Sequence, residues 1–278
     1  ALEWCGDDTL DDVLQRTDVL PPDIRRAAGA PDPWAAGRED VTRLGVALAA
    51  SVAAVERAFA PATARLRADP GTWLPRWRAL QAQTEPWAAG AAQGLAWLTG
   101  EPLSQSLAEA LRVAVALAMN ALPSAGSLDY NARNAVLNGV AGGTPRLTLL
   151  DFSATGMDWP ARRFVQYGTA AGGGQHSGNF VSAIQPASTL AYAEAVAPLW
   201  GTDAPAVQQT VDAHDLLLLL TAAQSLRAIA SGKAHPERTR AWSDTGARRE
   251  RLLSLLRRPL APQGPAESVR AHLRHTAV

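Results

Sequence analysis

Residues 127–160, SLDYNARNAVLNGVAGGTPRLTLLDFSATGMDWP, constrain this chain more than any other stretch. Asp129 is followed five residues on by Asn134, then by a turn and the apolar run Leu147-Thr148-Leu149-Leu150, which delivers Asp151-Phe152-Ser153. Read physically, this is a loop and a β-hairpin whose open end gathers one Asp, one Asn and a second Asp. Asp and Asn are common in turns for their own hydrogen-bonding reasons, so either carboxylate alone is a weak signal. The order of the three, the hairpin-sized gap and the Trp159-Pro160 helix start together make the set more specific. Its oxygens suit Mg²⁺, a hard cation that keeps several waters and takes few protein ligands.

Composition sets the class. A chain of 278 residues allows one or two domains and a large core. Acids and bases number 26 each, so electrostatics point to neither a nucleic-acid nor a membrane-surface partner. Lys233 is the only lysine, an arginine bias that reports a GC-rich coding sequence more readily than a function. The single cysteine, Cys5, excludes an internal disulfide and fits a reducing compartment. No apolar run approaches membrane length and no leader-like pattern opens the chain, so the expected location is the cytoplasm.

The segments SLDYNARN and LLDFSATG resemble the catalytic and metal-binding segments of the aminoglycoside phosphotransferase and choline kinase-like family, relatives of the protein kinases. The family's usual text is H-G-D-x-x-x-x-N, then an apolar strand ending in I-D-F, then G-x-G-D-P. By that resemblance Asp129 is the catalytic base, and Asn134 and Asp151 hold Mg²⁺ on the phosphates of ATP or GTP. Ser127 stands where the family places His, Leu128 where it places Gly, and Arg163 at the position of a structural Asp. The opening ALEWCGDDTLDDVLQ resembles the family's hinge, which implies that Glu3, Trp4 and Cys5 line the nucleotide base. The small lobe, with its phosphate-covering loop and strand lysine, would then lie before residue 1 or on a partner chain. The implied acceptor is a hydroxyl of an aminoglycoside-, amino alcohol- or sugar-like molecule.

The rest of the chain reads as helices. Asp7, Asp8 and Thr9 are N-cap candidates for a short helix through Leu14. Pro21-Pro22-Asp23 starts another that ends near Gly29, and residues 31–37 form a linker. Residues 38–59 predict a long Ala-rich amphipathic helix, and residues 72–98 one or two helices interrupted near Thr84-Glu85-Pro86. Their Trp73, Trp77, Trp87 and Trp97 are read as core filler. After a turn at Gly100-Glu101-Pro102, residues 103–121 form a strong helix leading into a turn at Pro123-Ser124-Ala125-Gly126. Beyond Pro160 a short helix carries Arg162 and Arg163, read as surface or ion-pair residues, and residues 171–178 form a glycine-rich loop. Residues 186–200, 204–230, 237–257 and 267–275 complete the helical set. None of the five histidines shows zinc spacing, and G-x-S-x-G is absent.

The expected fold is therefore mainly α with small β-hairpins, the C-terminal lobe of a protein-kinase-like fold without its N-terminal lobe. Its parts are a hinge remnant at 1–8, a helical segment at 9–122, a catalytic and metal segment at 123–160, and a helical segment at 161–278. Two rivals stay open: a pseudokinase-like binding lobe without catalysis, and a helical interaction domain with accidental motifs. The second predicts that Asn134 and Asp151 lie far apart.

Overall fold

The computed structural model describes residues 8–18, 33–141, 144–171 and 179–275. It is mainly helical with small antiparallel sheets. Helix α1 (Leu10–Asp18) opens on a reciprocal cap. The Asp12 N–H donates to Thr9 Oγ1 at 3.2 Å, and the Thr9 N–H donates to Asp12 Oδ2 at 3.2 Å. This capping box satisfies two amides that the helix start leaves orphaned. The helix outruns the expected end at Leu14, and both Leu10 and Leu14 are fully buried.

Helix α2 (Pro33–Ala68) begins inside the expected linker and continues past Phe59 through Pro61. Its buried Leu44, Leu48, Ala49, Val52 and Ala53 recur at helical spacing and form one apolar stripe. Gly45 lets the helix approach its neighbour closely, because a Cβ there would stand 2.1 Å from the Ala183 carbonyl oxygen. One expectation needs correcting here. Val41–Ala68 is long and apolar enough to cross a membrane by length and composition, with mean hydropathy 1.4, and 39% of that window is buried inside the fold.

Helices α3 (Pro70–Gln81), α4 (Thr84–Thr99) and α5 (Gln105–Asn120) follow the expected punctuation. Gly100 ends α4 at φ +79°, where a side chain would be strained, and the Ser104 hydroxyl caps α5. The tryptophans do fill the core: Trp77 is buried, and Trp73, Trp87 and Trp97 pack partly buried against the same cluster.

Residues 123–126 are not the expected turn. Strand β1 (Ser124–Ser127) is wholly buried and pairs antiparallel with β4 (Thr155–Asp158), in register from Ser124 opposite Asp158 to Ser127 opposite Thr155. Small side chains read as turn chemistry locally, but here they let a strand lie between packed elements. Between the two runs the hairpin of β2 (Ala135–Ala141) and β3 (Thr144–Leu149), with a register irregularity between Leu137 and Val140. Helix α6 (Pro160–Tyr167) starts at the expected Trp-Pro step. A third pair, β5 (Thr169–Ala170) with β6 (Val181–Ser182), closes this region.

Helices α7 (Pro186–Trp200) and α8 (Ala204–Ala230) match the sequence reading. The expected helix over 237–257 is two, α9 (Pro236–Ala241) and α10 (Thr245–Leu256), because the Asp244 side chain accepts the Ala247 N–H and starts a new helix. Helix α11 (Pro265–His275) is the last among the described residues. Two hydrophobic clusters result, one around α4, α5, α8, α10 and α11, the other around α1, α2, the β2–β3 hairpin, α6 and α7. Helix α8 belongs to both, Val207 and Val211 to the second and Leu216 to Leu220 mostly to the first. The expected helix after Pro21 lies outside the described residues, as does most of the glycine-rich loop.

A buried ion cluster pins α11 to α8. Arg270 Nε donates to Asp212 Oδ1 at 2.6 Å and Arg270 Nη2 to Asp215 Oδ2 at 2.7 Å, with all three side chains essentially inaccessible. Removing one member leaves the opposite charge stranded, whereas an exposed pair is worth little. Arg270→Met is expected to destabilise the fold by about 3–5 kcal/mol. Arg112→Ala, which breaks an exposed pair with Glu109, is expected to cost under about 1 kcal/mol. Chemical denaturation of the two variants checks the contrast.

Candidate functional site

The site forms where β1, the 3₁₀ turn Ala132–Asn134 and the segment after β3 meet. Its base is a buried guanidinium. Arg163 donates from Nε to Glu56 Oε1 at 3.3 Å, from Nη2 to the Ser124 carbonyl at 2.7 Å and from Nη2 to Ser124 Oγ at 2.6 Å. Ser124 Oγ in turn donates to Glu56 Oε2 at 2.7 Å. Burial pushes the Glu56 carboxyl up, and Arg163 and Ser124 oppose that rise. Gly126 is required beside this group, since a Cβ there would lie 2.7 Å from Arg163 Cζ.

At the end of β1, Ser127 ties the two carboxylate segments together. Its buried hydroxyl donates to the Asp151 carbonyl at 3.0 Å and accepts the Asp129 N–H at 3.1 Å. The Leu128 N–H donates to the Ala154 carbonyl at 2.8 Å, and the Leu150 N–H to the Asn134 carbonyl at 2.7 Å. Asp129, Asn134 and Asp151 are thus brought to one place by the Ser127 hydroxyl and by backbone bonds at Leu128, Asn134 and Leu150.

Their side chains are arranged in detail. Asn134 Nδ2 donates to the Asp129 carbonyl at 2.9 Å, which leaves its amide oxygen as the atom able to ligate a cation. Asn131 Nδ2 donates to Asp129 Oδ1 at 3.0 Å, while Asn131 Oδ1 caps the 3₁₀ turn by accepting the Arg133 N–H at 3.0 Å. Asp151 is the only non-glycine residue with positive φ among those described, at +59°, a region Asp tolerates better than most residues. Its Oδ1 accepts from Ser153 Oγ at 2.5 Å and from the Ser153 N–H at 3.1 Å. Those two bonds hold the Asp151 carboxyl below the usual carboxylate range. Asp129 and Asp151 are both exposed.

The loop is braced from behind. The Tyr130 hydroxyl donates to Asp158 Oδ2, and Asp158 Oδ1 accepts the Trp159 N–H at 2.7 Å. Burial, followed by the nearby Asp158 charge, pushes the Tyr130 hydroxyl up, so it stays a donor. Arg162 pairs with Asp158 at 3.5 Å and lies 5.7 Å from the centre of the Tyr130 ring. Of the two arginines after Pro160, then, Arg163 is a buried ion-pair partner and Arg162 a half-buried one. Tyr130 and Asn131 also form one wall of a cleft of about 270 Å³ that extends to Phe180, Leu218 and Trp242.

Glu3, Trp4 and Cys5 lie outside the described residues. Just downstream of them, the Leu137 N–H donates to the Asp8 carbonyl at 2.8 Å and Thr9 bridges to Val136, so the chain enters along β2, just past Asn134. Among the described residues no group of three His, Cys, Asp or Glu side chains could hold a metal. The donor set here is two carboxylates and one amide. The sequence reading did not single out Asn131 or Ser153. Both sit two residues from an Asp or Arg133 partner, in the i to i+2 spacing of Asx turns, and that spacing was the available signal.

Ser153→Ala is expected to raise the Asp151 pKa toward the ordinary value, with the carboxylate still charged at neutral pH; carboxyl-carbon NMR titration reads it. Ser127→Ala is expected to cost about 1 kcal/mol and to speed hydrogen exchange at the Asp129 amide. Comparison with known proteins gives no assignment: no family model, no curated protein and no solved structure matches the chain.

Proposed function

We propose that this chain is the large lobe of a kinase-like phosphotransferase, resembling the aminoglycoside phosphotransferase and choline kinase-like enzymes. It would move the γ-phosphoryl group of ATP or GTP to a hydroxyl of a small molecule. The observation that carries this reading is the meeting of Asp129, Asn134 and Asp151 at one exposed edge. Further support comes from their setting on a strand, loop and hairpin, and from an N-terminal segment that runs beside the hairpin. The rival in which Asn134 and Asp151 lie apart does not fit these contacts. We place the enzyme in the cytoplasm.

The donor set suits Mg²⁺: hard oxygens only, few of them, and open to solvent so that the ion keeps waters. Asp151 and the Asn134 amide oxygen would hold it, and when bound it would neutralise charge on the β- and γ-phosphate oxygens. Asp129 receives the proton of the acceptor hydroxyl. That hydroxyl oxygen forms the new bond to phosphorus as the bond to the β-phosphate oxygen breaks, and a nucleoside diphosphate leaves. Asn131 fixes the Asp129 carboxylate, so one oxygen is held by the amide and the other is left for the incoming proton. Asp151 is an anion across the neutral range, and its bonds from Ser153 favour that charged form further.

Asp129→Ala is expected to lower kcat by about 10²–10⁴-fold with the circular dichroism spectrum and melting temperature unchanged. Radiolabelled γ-phosphate transfer by the full gene product measures it. Turnover by Asp129→Ala at the parent rate rules out the base. Asp151→Asn is expected to weaken Mn²⁺ binding at least tenfold by electron paramagnetic resonance. Metal and nucleotide binding with no turnover in the parent protein would assign a binding lobe instead.

A further inference from the structure

The cleft that begins at Tyr130 and Asn131 has a chemical character that the catalytic residues do not share. Its walls are largely apolar: Tyr130, Phe180, Leu218, Leu219, Ala222 and Trp242. Among the described residues that line it, the polar groups are neutral apart from one guanidinium, that of Arg238, and none is a carboxylate. Arg238 is anchored, lying 5.6 Å from the centre of the Trp242 ring and donating to Ser225 Oγ at 3.0 Å.

More positive charge stands around the same walls. Arg248 is buried 5.5 Å from the centres of both the Phe180 and Trp242 rings, with Nη1 donating to the Ala171 carbonyl at 2.8 Å. Ser225, Arg238 and Trp242 also line a second cavity of about 700 Å³, whose one carboxylate, Glu237, and its His235 neighbour are exposed.

A polycation entering this cleft would lose water and meet guanidinium groups without a buried carboxylate to pair with, which is costly. A neutral molecule with an apolar body loses little and gains the aromatic faces. The wall is one hydrogen bond from the reacting centre, because Asn131 both lines the cleft and holds Asp129. From this we infer that the cleft is the acceptor site, and that the acceptor is an uncharged alcohol with an apolar ring or chain and not a polyamine such as an aminoglycoside. The choice of acceptor rests on the phosphotransferase reading; the ligand chemistry of the cleft is tested without it.

Binding is measured by calorimetry on the whole protein without nucleotide, using 4-methylumbelliferyl β-glucoside as the neutral probe and kanamycin as the polycation. The glucoside is expected to bind at least tenfold more tightly than kanamycin. Ala222→Trp, which fills the cleft, is expected to weaken the glucoside at least tenfold. Arg238→Glu, at an exposed position that does not endanger folding, is expected to strengthen kanamycin about tenfold. Tighter kanamycin binding by the parent protein, or no glucoside binding at all, overturns the inference. So does glucoside binding untouched by Ala222→Trp, or kanamycin binding untouched by Arg238→Glu. Phosphate transfer to the glucoside is then assayed separately: binding as expected without Asp129-dependent transfer counts against the enzyme reading and leaves the cleft's ligand class standing.

Discussion

Everything at the site leans on the buried Arg163 guanidinium. It joins three parts of the chain that are far apart in sequence: Glu56 in the middle of α2, Ser124 at the start of β1, and the carbonyl of Asp158 at the end of β4. A charge this deep is tolerable only with its donors satisfied and a counter-charge beside it. Here the carboxylate, the serine hydroxyl and two carbonyls do that. Because the same carbonyl and hydroxyl belong to the first residue of β1, the ion pair fixes where that strand begins. The strand then fixes Ser127, and Ser127 fixes both carboxylate segments. The position that looked, by family resemblance, like a lost structural Asp is occupied by the group that organises the region.

The helical part of the fold was legible because its signals are local. Thr9, Ser104 and Asp203 stand where caps belong and do accept amides from the first turns of their helices. Gly100 and Gly201 end helices at positive φ. The misreadings arose where a local signal was outweighed by packing or overlooked. Pro61 should interrupt a helix, yet α2 continues through it, with Thr63 and Arg67 beyond it reaching the backbone of Ala125 and Pro123. Pro123 to Gly126 has turn composition, but its partner strand lies some thirty residues downstream, and nothing near it in sequence announces the pairing. Asp244 was the overlooked one: a cap in plain sight inside a stretch read as continuous helix.

At the site, the spacing of Asp129, Asn134 and Asp151 was visible, because residue type and order carry it. The means of bringing them together was not. Ser127 contacts Asp151 across 24 residues and Arg163 contacts Glu56 across 107. Such contacts exist only once the chain has folded, and a single sequence holds no trace of them. The cleft beside Tyr130 was equally hidden, since Tyr130, Phe180, Leu218 and Trp242 come from four separate segments.

The serine at 127 has one more consequence. An imidazole in that place would gain and lose a proton close to neutrality, and each change would alter what it could donate or accept. A hydroxyl does not ionise there, and it both donates and accepts at once. The bridge between the two acidic segments is therefore indifferent to ambient acidity over the cellular range.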